Sequence, residues 1–240
     1  MANHLSEEEQ IEAFKHWWAE NGLKLAAAAV IVVGGFFGWQ NWQSAQQERA
    51  EQGSAIYTDM LEMIVSNKPD EPLTAEKQAS VNALADQLKE EFSDSGYAHF
   101  AALLKAKLAV GNDDFEFAAT ELQWVLNSDP TEATKTLATL RLARVEAARG
   151  NVQQALQMIE GVDAGEMVSA YEEAKGDFYV SLGDFDTAYT AYQIALEADQ
   201  SEDTRVASIL RLKVGQTKPY IKSQVDAVEE QIEEPQGATE

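Results

Sequence analysis

The chain has 240 residues, no cysteine and a formal net charge of −23, with 18 Lys and Arg against 41 Asp and Glu. That acid excess argues against a nucleic-acid-binding surface, which needs clustered cations. The missing cysteines exclude disulfides and thiolate-held zinc.

The first element in chain order is a short leader helix. Ser6-Glu7-Glu8-Glu9 has capping-box spacing, in which Ser6 accepts from the backbone at Glu9 and Glu9 reaches back. Ile11, Phe14, Trp17 and Trp18 share one helical stripe, and Asn21-Gly22 predicts a stop. Such a helix either lies on a bilayer surface or is a solvated leader with a few apolar residues.

Leu25 to Trp39 then runs for fifteen residues without a charged or polar side chain. Extended to Trp42 it has 18 residues, or ~27 Å of helix, close to a hydrocarbon core. Trp17 and Trp18 on one side, with Trp39 and Trp42 on the other, read as membrane-interface anchors. A cleaved signal peptide would want a shorter apolar region and an A-x-A-like site, and Gln43-Ser44-Ala45-Gln46 offers none. A buried soluble helix is the other alternative, and four flanking tryptophans speak against it. Lys15 and Lys24 precede the span, whereas Arg49 alone stands in the next twenty residues, which favours a cytoplasmic N-terminus. Gly34 and Gly38 form G-x-x-x-G, a face on which another helix can pack closely in lipid.

Beyond residue 42 the charge is 16 − 36 = −20. All five prolines fall between apolar-periodic segments and no long β-branched alternation occurs, so an all-helical domain is expected. A candidate pair covers roughly Ala45 to Ser66 and Thr74 to Phe92, separated by Lys68-Pro69-Asp70-Glu71-Pro72. Further on, Gly176, Tyr179, Gly183, Ala188, Tyr192 and Ala195 occupy positions 8, 11, 15, 20, 24 and 27 of a 34-residue unit. That pattern resembles a tetratricopeptide repeat, in which small residues let two antiparallel helices cross and aromatics fill the space around them. Ala143, Gly150, Ala155 and Ile159 repeat it one unit earlier. Ala106, Ala118, Leu122, Val125 and Pro130 make a third copy, whose turn glycine is displaced to Gly111 with Asp113 in its place. At least three helix pairs are needed for a stable stack. Glu202 to Val214, with Val206, Ile209, Leu210 and Leu212, would cap it, and Val225 to Glu240 reads as a disordered acidic tail.

The expected fold class is all-α: an N-terminal transmembrane helix followed by a tetratricopeptide-like helical-repeat solenoid. The expected division is a leader over 1–22, a span over 23–42, a juxtamembrane helix and first helical pair over 43–95, repeats with a capping helix over 96–214, and a tail over 215–240.

Catalytic signals are lacking. His4 and His16 in the leader and His99, placed before a helix, are scattered, and no P-loop, Rossmann glycine fingerprint, G-x-S-x-G or H-E-x-x-H occurs. Neither an enzyme nor a cofactor is expected. What remains is a binding surface. The repeat register puts Leu103, Lys107, Leu140, Arg144, Glu173 and Asp177 at inward-facing positions 5 and 9. The predicted groove is apolar and basic toward its middle and acidic toward its end, unless these residues pack against the next repeat. It lacks the Lys and Asn set with which some such repeats clamp a C-terminal carboxylate.

Glu20-Asn21-Gly22, Gly34-x-x-x-Gly38-Trp39-x-x-Trp42-x-Ser44, Gly96-Tyr97-Ala98 and Leu140-Arg141-Leu142-Ala143-Arg144 together resemble the YfgM-type ancillary subunits of the SecYEG translocon over about residues 5 to 214. The resemblance implies a single-pass inner-membrane protein with a periplasmic domain. It also implies association with SecYEG and the membrane-anchored chaperone PpiD, passing exported client chains to periplasmic chaperones. A membrane-tethered regulator of a stress response is the alternative, and self-assembly through Gly34 and Gly38 is a third.

Overall fold

A computed structural model describes residues 7–66, 73–200 and 204–218, and all regular structure among them is helical. The chain divides into two units, Met1–Asp59 and Met60–Glu240. Ser6, the Lys68–Pro72 connection and the Val225–Glu240 tail lie outside the described residues.

The first helix, α1 (Glu7–Val65), runs 59 residues without interruption, about 88 Å of helix. The stop expected at Asn21-Gly22 does not occur. Asn21 donates its side-chain amide to the Trp17 carbonyl one turn back, at 3.1 Å, so it stays within the helix. Gly22 lies under the Trp18 indole, where a Cβ would come within 3.1 Å of the ring. A glycine costs a helix only ~1 kcal/mol relative to alanine. The alanine-rich run that follows favours continuing, because a helix that opened in lipid would leave its backbone polar groups unsatisfied.

In the second unit, α2 (Ala75–Glu91), α3 (Gly96–Gly111), α4 (Phe115–Asn127), α5 (Glu132–Ala148), α6 (Val152–Ile159), α7 (Val168–Leu182), α8 (Phe185–Ala198) and α9 (Thr204–Thr217) follow one another. Each packs on its neighbours in chain order, and α5 also touches α3 and α7. This nearest-neighbour arrangement is that of a solenoid. The three expected pairs are α3/α4, α5/α6 and α7/α8.

The turn inside each pair has one solution. The chain enters the left-handed region at Asp113 (φ 59°), Gly150 (φ 91°) and Gly183 (φ 79°). The next N–H, of Asp114, Asn151 or Asp184, then bonds the carbonyl five residues back at 2.9 Å. This closes the helix end as a Schellman turn does. Asp114 and Asp184 also start the following helix, each accepting from the backbone N–H three residues on at 3.1 Å. Asp113 thus takes the turn position that its register predicts, and aspartate tolerates this conformation better than most residues.

Alanines line the crossings: Ala106, Ala118, Ala143, Ala155, Ala188 and Ala195 are all buried. Two apolar clusters result. One is built on Ala102, Leu122, Val125 and Leu142, the other on Leu140, Ile159, Tyr171 and Phe178. The Tyr171 hydroxyl donates to the Thr136 carbonyl at 2.8 Å, tying α7 to α5. Burial raises its pKa. His99 lies inside α3 rather than ahead of it, with Nε2 3.0 Å from the Ser128 carbonyl oxygen. The capping helix α9 buries Leu210 and leaves Val206, Ile209 and Leu212 exposed.

Candidate functional site

Two features are candidates for a functional role: the apolar part of α1 and the stack face that carries the register-predicted residues. Along α1, Val30, Ile31, Val32, Val33, Phe36 and Phe37 all point outward, the least covered of them being 74% exposed. Among the described residues this is the one helix long and apolar enough to cross a membrane. Trp39 and Trp42 lie against each other, ring centres 5.3 Å apart, and Trp18 stacks on Phe14 at 6.2 Å. With the helix unbroken, Trp17 and Trp39 are 22 residues apart, or ~33 Å. That spacing matches the two interfaces of a bilayer. Gly34 and Gly38 face open space, with nothing within 4 Å of where a Cβ would stand.

On the inner face, the six register-predicted residues divide into three kinds. Leu103 and Leu140 are packed into the two cores, at 4% and 2% exposure. Glu173 and Asp177 sit at the far end, where Lys213 of α9 reaches back to them. Its Nζ lies 2.8 Å from Glu173 Oε1 and 2.6 Å from Asp177 Oδ1. Asp177 also accepts from the Tyr192 hydroxyl at 2.7 Å. Burial, this bond and the two nearby carboxylates raise the Tyr192 pKa. The acidic end of the groove is therefore held by the capping helix.

Lys107 and Arg144 are the third kind. Both line a cavity of about 360 Å³ between α3, α4 and α5. Its apolar wall includes Val110, Phe115, Leu122 and Val145, and Arg141 joins the two cations at its edge. Arg144 meets Glu173 at 3.5 Å and the Ala170 carbonyl at 3.3 Å. Lys107 and Arg141 have no carboxylate partner among the described residues. Desolvation, then the neighbouring Arg144, pulls the Arg141 pKa below its ordinary value. The register does not select Arg141, because it follows position 5 directly. Its three-residue spacing from Arg144 was the available signal, since such a pair shares a helix face.

A charged cluster that no sequence motif marks lies between α2, α3 and α4. Lys105 and Glu121 are each 4% exposed, with Lys105 Nζ 3.1 Å from Glu121 Oε1 and 2.6 Å from Asp86 Oδ1. Lys89 Nζ completes it, 2.7 Å from Glu121 Oε2. All of these charges are mutually satisfied, so the cluster serves packing.

The family model described as a tetratricopeptide repeat-like domain matches residues 15–218. An ancillary SecYEG translocon subunit of Haemophilus influenzae is 30% identical over 209 residues, 87% of this chain and 98% of the relative. Its counterpart in Aggregatibacter actinomycetemcomitans is 32% identical over 197 residues, 82% and 92% of the two chains. The Escherichia coli protein of the same name is 29% identical over 194 residues, 81% and 89%. The matched region takes in the apolar stretch of α1 as well as the repeats, and the chain belongs to the ancillary SecYEG translocon subunit family, with a tetratricopeptide repeat-like domain behind an N-terminal membrane anchor.

Proposed function

We propose that this chain is a non-enzymatic adaptor of the SecYEG translocon, tethered by α1 and binding protein through its repeats. The observation that carries this reading is the near-full-length likeness to subunits of that name, which extends across both the anchor and the helical stack. A tether adds physical sense: confinement near a channel exit raises effective concentration, so modest affinity suffices.

In the same reading the N-terminus is cytoplasmic and the repeat domain periplasmic, where it hands exported chains to chaperones, PpiD among them. The Lys15 and Lys24 bias supports this orientation. Residues 1–22 form the leader, 23–42 the span, 43–95 the approach to the stack, 96–214 the repeats and 215–240 a tail. Gly34 and Gly38 offer the span a face for a partner helix, and the open space beside both supports that role.

Photocrosslinkers placed along the repeats in intact cells test the reading. Capture of translocon subunits and exported chains is the expected result, and their absence from every position would overturn it. Protease added to spheroplasts is expected to digest the repeats; full protection would reverse the orientation.

A further inference from the structure

The cavity between α3, α4 and α5 combines an apolar interior with an edge made only of cations. Lys107, Arg141 and Arg144 gather there although the chain beyond residue 42 carries a charge of −20. Two like-charged guanidinium groups one turn apart repel, and Arg141 is half-buried with no counter-ion among the described residues. The other acids near this face are engaged: Glu173 with Arg144 and Lys213, Glu116 with Arg149, and Glu146 with Arg149 and Asn151. Structural packing is elsewhere achieved with full pairing, as at Lys105 and Glu121. An unpaired cation beside a second one, over an apolar floor, can receive an anionic group.

We propose that this cavity is a peptide-binding pocket for a partner segment that presents a bulky aliphatic side chain flanked by side-chain carboxylates. The aliphatic group enters between Val110, Phe115, Leu122 and Val145, and the flanking carboxylates meet Arg141 and Lys107. The cavity's ~360 Å³ lies within the range of pockets that hold ligands. Guanidinium binds a carboxylate through two parallel bonds, so Arg141 contributes direction as well as charge. This differs from a clamp on a C-terminal carboxylate, because the recognised acids lie within the segment. The inference rests on the reading of the repeats as a protein-binding platform and deepens it.

The test uses the full chain in detergent and three short fluorescein-labelled peptides: a leucine between pairs of glutamates, the same peptide with glutamines, and the same with lysines. The glutamate peptide is expected to bind at least about tenfold more tightly than the glutamine one, weakening as salt rises. Arg141→Gln is expected to lose about tenfold of that affinity, the size of one charge-assisted bond. Val110→Glu, at an exposed position of the cavity wall, is expected to abolish binding while leaving the circular dichroism unchanged. Lys135→Gln, elsewhere on α5, is the control that keeps affinity. Equal binding of the glutamate and glutamine peptides, or an Arg141→Gln chain that binds like the parent, would overturn the proposal. So would a gain in peptide binding when Glu229, Glu230, Glu233 and Glu234 are changed together to Gln, which would give the pocket to the chain's own tail. A chain that crosslinks to the translocon yet ignores the glutamate peptide refutes this pocket and leaves the adaptor reading standing.

Discussion

The α3/α4 and α7/α8 pairs occupy equivalent places in the repeat but close their crossings by opposite means. In α7/α8 the contact is steric. Gly176 has no side chain, and a Cβ there would stand 2.3 Å from the Tyr192 ring, which is itself only 3% exposed. In α3/α4 the position of Gly176 belongs to Ala106, that of Tyr192 to Leu122, and beside them lie the buried charges of Lys105 and Glu121. One crossing is a fit between shapes and tolerates no added atom. The other holds two ions away from water, and such a pair is costly to break yet replaceable as a unit by apolar residues of like size. The same backbone geometry is thus compatible with two kinds of fragility.

Thermal unfolding of the full chain in detergent tells the two crossings apart. The largest effect is expected from Glu121→Leu, which takes the carboxylate from Lys89 and leaves buried Lys105 with Asp86 alone. It should cost about 3–5 kcal/mol, roughly 6–20 °C in Tm for a domain of this size. Adding Lys105→Met should recover more than half of that loss; a double variant as unstable as the single one would show that the ions do more than cancel. Next comes Gly176→Ala, expected to destabilise by about 1–3 kcal/mol because the Tyr192 ring must move. Ala106→Gly, the reverse change in the other pair, should cost only about 1 kcal/mol through helix propensity and a small void. Equal losses would erase the distinction between the crossings. Tyr192→Phe removes the bond to Asp177 while keeping the ring, for about 1 kcal/mol.

The smallest effect concerns the turn of the α7/α8 pair. Asp184 accepts from the Thr187 hydroxyl at 2.7 Å and from the Thr187 N–H, and these bonds hold its carboxyl below the usual aspartate range. A depressed pKa adds stability that is present above the unfolded value near ~3.9 and lost as pH falls through the folded one. The Tm gap between the parent and Asp184→Asn should therefore narrow on acidification below about pH 4. A gap that stays constant with pH would assign the cap to geometry alone.

The fold was legible where the chain must supply an unusual residue. Only glycine can sit under the Tyr192 ring, and only a few residues accept positive φ, so Gly176, Gly183, Gly150 and even Asp113 mark their turns and crossings in the sequence itself. The apolar span shows for a similar reason, since composition alone distinguishes a stretch made for lipid. The charged cluster was not legible. Lys105 and Glu121 look like any solvated helix charges until α2, α3 and α4 pack together, bringing into contact residues 16 and 32 apart. The continuity of α1 was hidden too, because Asn21-Gly22 is a local stop signal that the following run overrides. At the candidate site, register arithmetic finds Lys107 and Arg144 but assigns Leu103 and Leu140 to a groove, whereas helix-to-helix packing takes both inside. Arg141 and Lys213 needed three dimensions: one faces the cavity by a rotation within α5, and the other arrives from a helix 36 residues beyond Asp177.

The unbroken course of α1 past Gly22 has a mechanical consequence. A jointed leader would swivel freely at its hinge and let the bilayer absorb any pull on its tip. A single rod cannot. Twist or leverage applied near Phe14 and Trp18 passes through the same helix into the apolar stretch, so whatever grips one end also bears on the orientation of the Gly34 and Gly38 face.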